Sequence, residues 1–153
     1  MGEIRRKHRM SQISLKLSYE EKKDRLQIYF REDTPDKKEY LDKNQNIICK
    51  YKNGEIIGYE INKFSDTLNT LEILLPLDIE KEKFLRLSYN ELSDVMFITM
   101  YGSNPEFTED FPLCPGVVYY NKDSMGRIVE YEILEFKKFA SITPSVFLRV
   151  DIV

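Results

Sequence analysis

The sequence has one histidine, two cysteines and no tryptophan among its 153 residues. His8 stands in a charged N-terminal stretch, so neither a Ser-His-Asp triad nor a Cys-His dyad has a histidine inside the expected fold. Cys49 and Cys114 are too few for a disulfide framework, and without clustered partners they do not give the spacing of a zinc site. The six glycines stand singly, which excludes a Gly-rich loop cradling phosphates. No apolar run approaches the roughly 20 residues that span a bilayer. The N-terminus is charged and lacks the apolar stretch of a signal peptide. A net charge of -3 argues against an overall nucleic-acid-binding surface. The expectation is a cytoplasmic protein with no membrane contact, no cofactor and no metal.

What the chain does have is a hairpin made twice. Residues 47–61 and 117–133 each run through β-branched and aromatic residues, a polar turn closing on Gly54 or Gly126, and a second such run. Both end alike, in Tyr59, Glu60, Ile61 and in Tyr131, Glu132, Ile133. Upstream, Leu15, Leu17 and Tyr19 alternate with polar residues, as Leu85, Leu87 and Tyr89 do 70 positions later. Asp94 answers Asp24, and Met96, Ile98 and Met100 answer Leu26, Ile28 and Phe30. Ile47 and Ile48 answer Val117 and Val118 at the same offset, which grows to 72 at the glycines and 73 at Leu75 and Leu148. Insertions confined to turns while strand positions stay matched indicate a tandem duplication.

The predicted fold class is therefore α+β, mostly β: two pseudo-twofold-related antiparallel β-meander repeats, each with a short helix. A basic tail covers residues 1–12, the first repeat 13–79 and the second 83–152, the two packed as one globular unit. The result is a pseudo-dimeric monomer or a homodimer. In the first repeat Ser65 and Asp66 are candidate caps for a helix carrying Leu68, Leu71 and Leu75 on one face and stopped at Pro76. In the second, Lys137 to Thr143 is shorter. Alternation turns Ile57, Tyr59, Ile61, Val129, Tyr131 and Ile133 toward the core, with Glu60 and Glu132 on the other face. Tyr19, Tyr59, Tyr89 and Tyr131 read as core rather than as stacking platforms for bases, because tyrosine suits strands.

Two sets of carboxylates are candidates for function. Asp36 and Glu39 in the acidic stretch 31–43, and Glu106, Glu109 and Asp110 in 104–110, suit capture of a small basic protein partner by charge complementarity. The bland alternative is ordinary solvated loop surface. Asp24, Glu60, Asp94 and Glu132 recur in both repeats and form the alternative site, a symmetric group able in principle to bind a divalent ion or act as acid and base. Their bland alternative is local turn chemistry and a polar strand face. Nucleic-acid contact is expected only through Arg5, Arg6, Lys7 and Arg9, if the tail is more than a frayed end.

The repeats also resemble a family of short prokaryotic domains, domain of unknown function 2283. The resemblance rests on Tyr19-Glu20, Asp24, Leu26, Ile28, Gly54 and the run Ile56 to Ile61 in the first copy. In the second it rests on Tyr89, Asp94, Met96, Ile98, Gly126 and the run Ile128 to Ile133, with Asn90 in place of the acid and Glu130 in place of the glycine. Members of that family look like partners or neighbours of small toxin-like proteins. The resemblance implies a non-enzymatic, antitoxin-like or regulatory interaction role. The alternative is a carboxylate-based metal-dependent enzyme or a metal- or ligand-binding protein.

Overall fold

A computed structural model describes residues 12–69, 72–78, 82–112, 114, 116–143 and 145–153. The tail residues Arg5, Arg6, Lys7 and Arg9 lie outside them. The chain opens with β1 (Gln12–Glu20), a 3-10 turn (Glu21–Lys23), β2 (Arg25–Tyr29), β3 (Lys37–Tyr40), β4 (Ile47–Lys52) and β5 (Glu55–Ile61). Then come α1 (Phe64–Asn69) and β6 (Ile73–Asp78). The series repeats as β7 (Lys83–Asn90), β8 (Val95–Met100), β9 (Phe107–Asp110), β10 (Val118–Lys122), β11 (Ile128–Ile133), α2 (Phe136–Ile142) and β12 (Ser145–Asp151).

The strands form two six-stranded antiparallel sheets. The first has the order β12-β1-β2-β5-β4-β3 and the second β6-β7-β8-β11-β10-β9. The orders correspond strand for strand, with β5 and β11 inserted beside β2 and β8 where a simple meander would not put them. Each sheet takes its last strand from the other half of the chain. Thus β12 lies on β1, with Leu148 opposite Leu15 and Val146 opposite Leu17. In the second sheet β6 lies on β7, with Leu75 opposite Leu85. The helices carry the crossing: α1 packs on β7 and α2 on β1, so each delivers the chain to the opposite sheet. Sequence alternation gave no sign of this exchange, because it reports which face a residue uses and not which strand lies beside it.

One continuous cluster of buried residues joins the sheets. Leu15, Leu17, Leu26, Ile28, Tyr59 and Ile61 from the first face Leu85, Leu87, Met96, Ile98, Tyr131 and Ile133 from the second, all buried as the alternation requires. At its centre four aromatic rings meet, two from each half. Phe64 lies 5.3 Å from Phe136 and 4.8 Å from Tyr89, and Tyr19 lies 5.5 Å from Phe136 and 5.6 Å from Phe64. The turn at Asn53 and Gly54 has positive φ at both residues, 51° and 78°, which is the hairpin geometry that an Asn-Gly pair favours.

Several expectations need correction. Residues 31–43 and 104–110 are not wholly loops, since they hold the edge strands β3 and β9. Every residue of both strands is exposed, so neither carries the alternation that betrays a half-buried strand. Leu75 and Pro76 belong to β6 rather than to a helix or its stop. An edge strand tolerates proline, whose missing N–H costs no ladder bond on the open side. The offset is also misplaced by one at β10: Ile47 faces Ile61 as Val118 faces Ile133, so Val118 is the counterpart of Ile47. Gln12, expected in the tail, is the first residue of β1 and pairs with Asp151. Among the described residues no helix is long and apolar enough to cross a membrane.

Candidate functional site

Asp24 and Asp94 close the turns that join β1 to β2 and β7 to β8, in left-handed conformation with φ of 48° and 54°. Their carboxylates hold distant helix N-termini. Asp24 Oδ1 accepts hydrogen bonds from the Tyr19 hydroxyl at 2.5 Å and from Ser65 Oγ at 3.0 Å, while Oδ2 accepts from the Ser65 backbone N–H at 3.0 Å. Asp94 accepts from the Tyr89 hydroxyl at 2.7 Å and from the Lys137 backbone N–H at 3.2 Å. The cap of α1 is therefore Asp24, forty-odd residues upstream, rather than Ser65 or Asp66. Burial, followed by the hydrogen bond to the aspartate, drives the Tyr19 and Tyr89 hydroxyls well above the usual tyrosine range. Asp24→Ala removes a cap and leaves a buried hydroxyl without its acceptor, an expected loss of about 2–4 kcal/mol. Urea unfolding checks this, and an unchanged midpoint would remove the structural role.

Glu60 and Glu132 lie on the outer faces of different sheets, with the core between them. Glu60 faces Lys50 Nζ at 3.4 Å and Arg25 Nε at 3.9 Å, and accepts from Asn62 Nδ2 at 3.2 Å. Glu132 is half-buried, and burial together with neighbouring Glu130 raises its carboxyl above the ordinary range. The four carboxylates of the alternative site thus do not converge. Two anchor helices, and the other two face solvent on opposite surfaces. Among the described residues no three His, Cys, Asp or Glu side chains are grouped to hold a metal. Cys49 is buried, and burial raises its thiol pKa, which disfavours the nucleophilic thiolate.

The acidic candidates fall into two separate groups. Asp36 and Glu39 stand at the β3 edge of the first sheet, and Glu106, Glu109 and Asp110 at the β9 edge of the second. The first group is largely committed. Asp36 Oδ2 accepts the Asn53 N–H at 3.0 Å, and Glu39 lies 3.6 Å from Lys37, in a stretch that also holds Lys38 and Lys43. The second group has partners too but stands in a stretch poorer in cations: between Arg86 and Lys122 the chain has no lysine or arginine. Glu109 accepts from the Tyr120 hydroxyl at 2.7 Å and lies 3.3 Å from Lys122, contacts that lower its pKa. Asp110 Oδ1 accepts the Gly116 N–H at 3.3 Å. Two strands in from that edge, Glu130 stands opposite Thr99 and Asn121, and Glu132 opposite Phe97 and Tyr119.

Sequence reading missed this asymmetry because it weighed the loops by their acids and not by the cations beside them. It also passed over Lys50, which is only 7% exposed and follows the apolar run Ile47, Ile48 and Cys49. Its burial comes from Glu60, 3.4 Å from Nζ, and from the Tyr29 ring 5.4 Å away, which no pattern within its own strand reveals. Comparison of the chain with protein-family models, with curated proteins and with solved structures finds no match.

Proposed function

We propose that the protein is a non-enzymatic, cytoplasmic interaction module, antitoxin-like or regulatory, that captures a small basic protein through the acidic side of its second sheet. The observation that carries this reading is the stretch between Arg86 and Lys122, which lacks any cation and places Glu106, Glu109 and Asp110 at an exposed sheet edge. Clustered charge of one sign speeds encounter with an opposite surface and selects against like-charged partners. The matched strand orders support reading the chain as a tandem duplication, in which the halves keep a common frame while only one is acidic at its edge. The resemblance to domain of unknown function 2283 points to the same class of role.

The test is association with the product of the gene adjacent to its own, measured by calorimetry across a salt series. Charge reversal at Glu106, Glu109 and Asp110 is expected to abolish binding without lowering thermal stability, since exposed ion pairs contribute only about 0–1 kcal/mol. Reversal at Asp36 and Glu39 should weaken it far less. Rising salt should weaken wild-type binding, as screening sets in beyond about 8–10 Å. Glu60→Gln with Glu132→Gln should leave capture intact. Loss of binding in that double variant, with retention in the β9 variant, overturns the proposal.

A further inference from the structure

The two sheets end in four edge strands, β12 and β3 in the first and β6 and β9 in the second. An open edge offers its backbone to any passing strand, and proteins commonly block it with lysine, proline or a covering group. Three of these edges are blocked. The β3 edge carries Lys37 and Lys38. The β6 edge contains Pro76, which has no N–H to offer, and the Tyr59 hydroxyl donates to its carbonyl. On β12 the Tyr131 hydroxyl takes both backbone groups of Arg149, donating to the carbonyl at 2.7 Å and accepting from the N–H at 3.2 Å. The β9 edge has no such device among the described residues. It reads Phe107, Thr108, Glu109, Asp110, every one exposed.

Which groups β9 offers follows from its pairing with β10. The Phe111 N–H donates to the Val118 carbonyl at 2.9 Å, and Asp110 stands opposite Tyr119. Backbone groups alternate in an antiparallel ladder, so Phe107 and Glu109 turn theirs toward β10 while Thr108 and Asp110 turn theirs outward. The side chains alternate too. Glu109 shares a face with Phe107 and with Tyr120, which stands opposite it, and its carboxylate is engaged by the Tyr120 hydroxyl and Lys122. Asp110, on the other face, accepts the Gly116 N–H at 3.3 Å and has no ion pair among the described residues. We infer that a basic segment of the partner joins the second sheet as a further strand beside β9. Its main chain meets Thr108 and Asp110, its cations lie on the Asp110 face, and its apolar side chains lie beside Phe107. Strand addition of this kind draws affinity from main-chain hydrogen bonds and specificity from alternate side chains. The acids select the occupant. Like charges set directly opposite are destabilising, which bars β9 of a second copy as well as any acidic strand. This mode of binding rests on the proposed capture of a basic partner at this edge, and adds how that partner is held.

The test is a titration of isotope-labelled full-length protein with a short capped peptide of alternating valine and lysine, followed by the amide resonances. Saturable shifts centred on Thr108 and Asp110 are expected, with their N–H exchange slowed and Lys38 and Tyr40 unmoved. The same peptide with every amide nitrogen methylated keeps its charge and side chains but cannot join a strand. It should bind about tenfold more weakly, the scale of the lost main-chain hydrogen bonds. Thr108→Pro, which removes an outward N–H without touching an acid, should weaken the unmethylated peptide similarly. If that variant does not fold, the comparison of the two peptides on the wild type decides it. Equal binding of both peptides, lost on charge reversal at Glu106, Glu109 and Asp110, overturns strand addition and leaves the acidic edge as the capture surface. Binding of neither peptide, or shifts centred on Lys38 and Tyr40, also overturns strand addition, while capture itself stands or falls with the salt-series calorimetry. Self-association through Thr108 and Asp110 without peptide would put a second copy on the edge and overturn it as well.

Discussion

Phe64→Ala should lower the unfolding free energy by about 3–5 kcal/mol, and Phe136→Ala by a similar amount. Both rings are almost fully buried, and they touch each other at the point where the two halves of the chain meet. Removing either leaves a cavity bounded by strands from both sheets, which cannot close without shifting their registers. For Phe64 the lost edge-to-face contact with Tyr19 and tilted contact with Tyr89 add to the transfer term. Because the rings touch, the double variant should depart from additivity. Chemical denaturation measures all three, and a cost below about 1 kcal/mol for either single change would show that the four-ring cluster does not join the halves.

Cutting the chain after Thr143 should abolish cooperative unfolding altogether. The deleted strand β12 places Val146, Leu148 and Val150 in the core against the first half. It also accepts the Tyr131 hydroxyl at the Arg149 carbonyl, at 2.7 Å, and through Asp151 the Ile128 N–H, also at 2.7 Å. Without it β1 becomes an open edge above exposed apolar side chains, an arrangement prone to aggregation. The hydrophobic loss alone is about 1.5–3 kcal/mol for each buried side chain, which consumes most of a typical domain stability of 5–15 kcal/mol. A synthetic peptide of residues 145–153 added in trans should restore a dispersed amide spectrum. A truncated chain that melts cooperatively at the wild-type temperature would contradict the strand exchange.

The strands that face the core were legible because burial on one face forces alternation, as at Leu15, Leu17 and Tyr19. The edge strands β3 and β9 were not, because a strand exposed on both faces imposes no pattern on its residues. The exchange of β6 and β12 was hidden for a different reason. Leu75 and Leu148 are apolar whichever sheet they join, and partner choice is decided by where a helix six or seven residues long delivers the chain. At the candidate sites, the recurrence of Asp24 and Asp94 was visible but its meaning was not. A repeated carboxylate looks the same in sequence whether it binds a ligand or caps a helix more than forty positions away. Glu60 and Glu132 were placed correctly on the polar faces, yet alternation within one strand cannot say that two such faces point in opposite directions.

The proposed docking edge is tested most directly by hydrogen–deuterium exchange of the protein alone and with the proposed basic partner. Protection confined to residues 106–122 is the expected result, with the β3 edge at residues 37–40 exchanging as in the free protein. Protection confined to the first sheet, with 106–122 unchanged, would contradict it.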